Sequence, residues 1–177
     1  MIELSLDQRQ VLNNLLSWFS VQNKTPFITL GGYAGTGKTT LISLLRNELH
    51  KLNPKLKVAF CSYTGKASRV LKFRISESKA SYEKDFIGTI HSLIYSPIED
   101  EKTQEIVGWE LKKNVEADLI IIDEASMVDY AIWQDLLSFK IPIIATGDHG
   151  QLPPIKENFN LMERPILKLE EIHRQAR

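Results

Sequence analysis

The stretch Gly32-Tyr-Ala-Gly-Thr-Gly-Lys38-Thr39 constrains this chain more than any other. It satisfies the spacing G-x-x-x-x-G-K-[ST], in which glycines let the backbone close around a phosphate while successive N–H groups form an anion nest. Such a loop needs a strand before it and the positive end of a helix after it. The flanking residues supply both. Phe27-Ile-Thr-Leu30 reads as a short buried strand, and between Lys38 and Leu52 the residues Leu41, Leu44, Leu45 and Leu49 share one helical face. At ordinary glycine usage a chance match in a chain of this length is well below about one in a hundred. Gly32, Gly35, Thr36, Gly37, Lys38, Thr39 and Thr40 are therefore expected to bind the phosphates of a nucleotide. Lys38 is expected to reach the β and γ phosphates, and the Thr39 hydroxyl to bind Mg²⁺.

The rest of the chain continues the alternation of strand and helix. Leu12, Leu15, Leu16 and Phe19 lie at helical spacing within Leu6–Phe19, with Asp7 as the capping candidate. Lys57–Cys61, Asp118–Asp123, Ile141–Thr146 and Ile166–Leu169 are strand-like runs, and Lys66–Phe73 and Thr89–Tyr95 are short helical ones, the second closed by Pro97. Arg74–Asp85, polar and mixed in charge, is expected to be an exposed loop, and Gln104–Leu111 a hairpin. Apolar runs that do not alternate, separated by helical segments, imply parallel strands covered on both faces. The expected architecture is a three-layer α/β sandwich, one domain over residues 1–177.

Composition narrows the class further. Apolar residues make up 43% and charged residues 25%, an ordinary globular balance that disfavours disorder. Lysine and arginine (22) equal aspartate and glutamate (22), so no bulk basic field marks a polyanion partner. No apolar run approaches the length of a membrane span, and a single cysteine, Cys61, cannot form an internal disulfide. A reducing, cytoplasmic setting without membrane attachment is expected. Cys61 reads as a small buried hydrophobe, and Trp18, Trp109 and Trp133 as packing residues rather than base-stacking platforms.

Two further segments carry chemistry. Leu119-Ile-Ile-Ile-Asp123-Glu124 is an apolar strand ending in two acids, and beside a phosphate loop their roles separate. Asp123 is expected to hold the Mg²⁺ through its water shell, and Glu124 to orient and deprotonate an attacking water. The run Ala145-Thr-Gly-Asp148-His-Gly-Gln151-Leu-Pro-Pro154 is a strand with a polar tip, expected to set Gln151 beside the γ-phosphate.

Taken in order, these segments resemble motifs of superfamily 1 DNA helicases. Gly32–Thr39, Asp123-Glu-Ala-Ser-Met127, Gly147-Asp-His-Gly-Gln-Leu-Pro-Pro154 and Leu169-Glu-Glu-Ile-His-Arg174-Gln175 are similar to motifs I to IV, in the form of the RecD/Dda-like branch. Leu4-Ser-Leu-Asp-Gln8 resembles the Q motif, which implies that Gln8 reads adenine. Ser62-Tyr-Thr64-Gly-Lys66-Ala67 and Thr89-Ile-His91-Ser-Leu resemble motifs Ia and Ib, which implies that Thr64, Lys66, Thr89 and His91 face single-stranded DNA. The resemblance implies a P-loop NTPase of RecA-like fold that uses ATP and Mg²⁺ and moves 5′ to 3′ along DNA. It also implies a second RecA-like domain that completes the site, and motifs V and VI have no counterpart in these residues. Arg174 is the one arginine offered as a finger toward the phosphates, and without such a finger hydrolysis should be slow.

Two other readings stand beside this one. A nucleotide-dependent switch or DNA-binding module without motor activity fits the zero net charge. A small-molecule kinase fits the length and the phosphate loop. It is disfavoured because Glu124 serves water attack and because Arg164, Arg174 and Arg177 all come too late to form an arginine-rich lid.

Overall fold

The computed structural model describes residues 4–21, 25–148, 150 and 159–170. Its centre is a six-stranded sheet in the order β3-β2-β6-β7-β1-β8, formed by β1 (Phe27–Gly32), β2 (Val58–Ser62), β3 (Phe86–Thr89), β6 (Leu119–Asp123), β7 (Ile143–Gly147) and β8 (Leu167–Leu169). Every pairing in it is parallel. Between β3 and β6 lies a separate antiparallel pair, β4 (Tyr95–Glu99) and β5 (Ile106–Leu111).

Parallel strands must be connected by crossovers, and the helices of those crossovers cover both faces of the sheet. One face carries α1 (Leu6–Ser20), α2 (Lys38–Leu52) and α3 (Gly65–Glu77), packed through Leu15, Leu41, Leu45 and Leu71 onto Leu30, Phe60, Ile121 and Ile144. The opposite face carries α4 (Ile90–Ile94) and α5 (Tyr130–Ser138), packed through Ile90, Ile94, Trp133 and Leu136 onto Cys61, Ile122 and Ala145. Alternate residues of one strand thus enter different cores, which is why the strands read as continuous apolar runs. The three-layer sandwich expected from the sequence is the fold observed. Cys61 is fully buried, and burial raises its thiol pKa well above the ordinary value. Trp133 is buried edge-on against Phe27, whereas Trp109 stands half exposed on the hairpin.

Three segments differ from expectation. α3 runs on to Glu77, and the stretch read as an exposed loop contains the fully buried Ile75 and Ala80. The polar residues of 74–85 hid an apolar anchor at helical spacing from Leu71. Next, β3 adds a strand where the sequence has only Phe-Ile-Gly-Thr. Finally, the hairpin begins at Tyr95, with Pro97 inside its first strand opposite Trp109. A two-stranded ribbon has only edges, where proline is tolerated.

Asp85, at the end of the misread segment, closes a buried ion pair. The Arg46 Nε and Nη2 atoms donate to its two carboxylate oxygens, each at 2.9 Å, and neither side chain has any exposed surface. Asp85 also accepts from the backbone N–H groups of Val58 (3.2 Å) and Tyr82 (3.1 Å). Arg46 in turn donates to the Leu56 carbonyl and lies 4.4 Å over the Tyr82 ring. One aspartate therefore ties α2, the start of β2 and the turn before β3. Removing it strands a buried guanidinium, so Asp85→Ala should cost about 3–5 kcal/mol of unfolding free energy. Urea denaturation checks this, and Glu116→Ala, at the exposed Lys57–Glu116 bridge, should leave the midpoint in place.

Candidate nucleotide site

The site is built where β1, β6 and β7 end. β1 runs into the phosphate loop, whose backbone conformation explains its glycines. Gly35 (φ 85°) and Gly37 (φ 84°) occupy the left-handed region. Gly32 is fully enclosed: a Cβ there would come within 2.6 Å of Thr36 Oγ1 and 3.3 Å of the Leu169 carbonyl. The Thr36 hydroxyl and N–H both donate to the Tyr33 carbonyl, folding the loop on itself. Gly37 then opens α2, whose first residues are Lys38, Thr39 and Thr40.

Lys38 Nζ donates to the carbonyls of Gly32 and Tyr33, so the ammonium stays tucked under the loop. Burial holds its pKa below the ordinary lysine value, while Asp123, Asp148 and Glu124 act in the opposite direction. Those three carboxylates gather from the ends of β6 and β7. Asp123, the last residue of β6, accepts from the Thr146 hydroxyl at 3.1 Å. Glu124 follows in the left-handed region (φ 58°, ψ 41°), an uncommon conformation for a residue with a side chain and one that recurs at functional sites. Burial first, then Asp123, raise the Glu124 carboxyl above the usual carboxylate range; Asp148 adds to this, and Lys38 and Arg74 oppose it. Lys38, Asp123 and Glu124, separated by up to 86 positions in sequence, are thus electrostatically coupled neighbours.

The residues fit a nucleoside triphosphate with its divalent cation. The loop is a cradle that a Cβ would fill at Gly32, its lysine donates to backbone carbonyls of the loop, and carboxylates lie within electrostatic reach. Lys38 and the loop N–H groups would hold the phosphates; Thr39 and Asp123 are the oxygen donors suited to Mg²⁺, a hard cation.

Gln8 lies against the phosphate loop. It is 6% exposed, its Nε2 donates to the Thr36 carbonyl at 3.1 Å, and its Oε1 accepts from the Ser5 N–H at 3.1 Å. Both ends of the amide brace the loop and cap α1. The four expected DNA contacts follow the carboxyl ends of two neighbouring strands, β2 and β3, where Ser62 and Thr89 are register partners. Thr64 and Thr89 cap α3 and α4 through their hydroxyls, Lys66 is exposed, and His91 packs against Tyr95 and Trp109 with ring centroids 4.7 Å and 4.4 Å away. Gln151 and Arg174 lie outside the described residues. Asp148, Thr146 and Arg74 were not singled out from the sequence. Asp148 was visible inside the Gly147–Pro154 motif, while Thr146 and Arg74 emerge only from register and packing.

The chain belongs to the AAA domain family, whose model matches residues 19–157, and its homologues include RecD and Dda. It is 32% identical to the RecBCD enzyme subunit RecD of Buchnera aphidicola over 87% of this chain and 29% of that protein. It is 28% identical to the ATP-dependent DNA helicase Dda of Enterobacteria phage T4 over 89% of this chain and 34% of that one. The chain therefore spans about a third of the length of these two relatives. Among solved structures, the Pif1 helicase of Candida albicans shares the fold at a TM-score of 0.57 and 24% identity, covering 98% of this chain and 41% of that chain. No helix among the described residues is long and apolar enough to cross a membrane.

The bracing and base-reading roles of Gln8 separate by experiment. A brace acts on the loop whatever the base, so Gln8→Ala should weaken ATP and GTP binding equally, by roughly five-fold for one lost hydrogen bond. Competition against a fluorescent nucleotide measures both, and a loss confined to ATP would assign the amide to adenine.

Proposed function

We propose that these residues form the ATP-binding and ATP-hydrolysing motor domain of a DNA helicase, coupling hydrolysis to translocation on single-stranded DNA in the 5′ to 3′ direction. The observation that carries the reading is the convergence of Lys38, Asp123 and Glu124 around one phosphate loop, with Glu124 on a left-handed backbone next to Asp123. Lys38 binds and neutralises the β and γ phosphates, and Thr39 with Asp123 holds Mg²⁺. Glu124 accepts a proton from the attacking water, and its raised pKa makes it a better base than an ordinary carboxylate. Gln151 senses the γ-phosphate. Thr64, Lys66, Thr89 and His91 line the path of the DNA, a role supported by their shared position at one sheet edge. The names of the relatives, RecD subunit and Dda helicase, support DNA as the track.

The site is completed by a second RecA-like domain, in the same polypeptide or in trans, or by Arg174 acting as the finger. These 177 residues on their own bind ATP, hydrolyse it slowly and do not unwind. A cytoplasmic setting fits the one buried cysteine. The zero net charge favours a second reading, a nucleotide-dependent DNA-binding switch without motor activity.

ATP turnover with and without single-stranded DNA decides between them. Glu124→Gln should retain ATP binding and lose at least about a hundred-fold in turnover, the lower range for a general base. Slow wild-type turnover that rises with DNA when a second domain is supplied is the motor outcome. Turnover indifferent to DNA in both settings is the switch outcome, and absence of ATP binding would sink both.

A further inference from the structure

One rung of the central sheet carries an unusual run of hydroxyls around the proposed metal carboxylate. Ser62 on β2 is the register partner of Asp123 on β6, and Thr146 on β7 follows directly from the register pair Ile122–Ala145. In parallel strands, register partners direct their side chains to the same face. That face is the one covered by α2, because Phe60, Ile121 and Ile144, two residues earlier on the same strands, belong to its core. Asp123 is thus flanked on both sides by a hydroxyl, in a row where apolar residues would be the ordinary choice.

The two hydroxyls are not equivalent. Thr146 is fully buried and donates to Asp123 Oδ1 at 3.1 Å, which fixes one carboxylate oxygen and leaves the other free to act. Ser62 is also fully buried, yet its Oγ has no hydrogen-bond partner among the described residues. A buried hydroxyl without a partner is costly and calls for an explanation. Thr89, the next residue along the rung, shows the contrast: its hydroxyl is satisfied by capping α4. Arg46 Nη1 and His50 Nδ1 are the other unpartnered buried atoms among the described residues, and Ser62 Oγ is the one that lies on the rung of Asp123.

Resting on the motor-domain reading above, we propose that Ser62 and Thr146 are positioning residues for the divalent cation that accompanies ATP. Thr146 sets the rotation of the Asp123 carboxylate, and Ser62 Oγ, the neighbouring hydroxyl on the same rung, is the further donor available to that carboxylate when the cation binds. Mg²⁺ keeps several of its waters when bound, so a protein selects it largely by holding those waters and the carboxylates that meet them. Neither residue touches phosphate, so both act on the metal and leave the grip of the loop on the nucleotide alone.

That separation provides the test. A fluorescent ATP analogue is titrated in the presence of chelator and then across a range of Mg²⁺, using wild type, Ser62→Ala, Thr146→Val and Thr146→Ser, each checked for an unchanged thermal midpoint. Ser62→Ala and Thr146→Val should each raise the Mg²⁺ concentration for half-maximal enhancement of binding by about ten-fold, the lower end for outer-shell partners of a metal site. Their affinity for the metal-free analogue should equal that of wild type, and Thr146→Ser, which keeps the hydroxyl, should restore the wild-type Mg²⁺ midpoint. An unchanged Mg²⁺ midpoint in Ser62→Ala overturns the proposal, and this variant decides the matter if Thr146→Val fails to fold. An equal loss with and without Mg²⁺ also overturns it, because that is the signature of general damage to the loop. A wild type that binds no nucleotide rejects the motor-domain reading itself, and the proposal with it.

Discussion

Parallel pairing is the constraint on which the rest of this structure depends. Because neighbouring strands all run the same way, the carboxyl ends of β1, β2, β3, β6 and β7 open onto one edge of the sheet. Everything chemically active follows from that edge: the phosphate loop after β1, Thr64 after β2, Asp123 and Glu124 at the end of β6, and Asp148 after β7. Side chains alternate with a period of two, so a one-residue slip of β6 would turn Asp123 into the opposite core and bring Ile122 in its place. The burial of both faces forbids such a slip. Core packing and site assembly are therefore one requirement.

The chain handles buried charge in two opposite ways. At the amino end of the strands, Arg46 and Asp85 are fully enclosed, with the aspartate satisfied on both oxygens and the arginine hydrogen-bonded through Nε and Nη2, while Nη1 has no partner among the described residues. That pair joins elements and has little reason to move. At the carboxyl end, one ammonium faces Asp123, Glu124 and Asp148, and its own hydrogen bonds go to loop carbonyls that a phosphate can replace. The first arrangement is closed, whereas the second holds an unbalanced set of charges whose balance changes when a ligand arrives. The strained backbone at Glu124 belongs with the second.

Much of this was legible in the sequence, for identifiable reasons. Local chemistry wrote the phosphate loop plainly, since left-handed φ values demand glycine at Gly35 and Gly37, and buried two-sided strands demand the apolar runs Phe27–Leu30 and Leu119–Ile122. The misread segment 74–85 failed because its two anchors are long-range: Ile75 is buried by tertiary packing, and Asp85 by a partner 39 residues away. Pro97 misled because a proline punctuates helices and ribbon edges alike. The placement of Gln8 beneath Thr36 depends on how α1 crosses the loop, and the rung of Ser62, Asp123 and Thr146 depends on register. Neither has a signature in the order of residues.

The β4–β5 ribbon has a consequence for how such a chain diversifies. Its first and last residues, Tyr95 and Leu111, are register partners, so it leaves and re-enters the body at nearly the same point. The stem is held by the Tyr95 hydroxyl on Asp135 and by the Lys112 N–H on the Ile94 carbonyl, whereas Ile98, Ile106, Val107 and Trp109 beyond it are exposed. Lengthening, trimming or replacing the ribbon beyond Trp109, which packs on His91, alters no strand of the central sheet. The ribbon is an interchangeable attachment on a fixed engine, a place where evolution or a designer can graft a new recognition element without reopening the problem of folding.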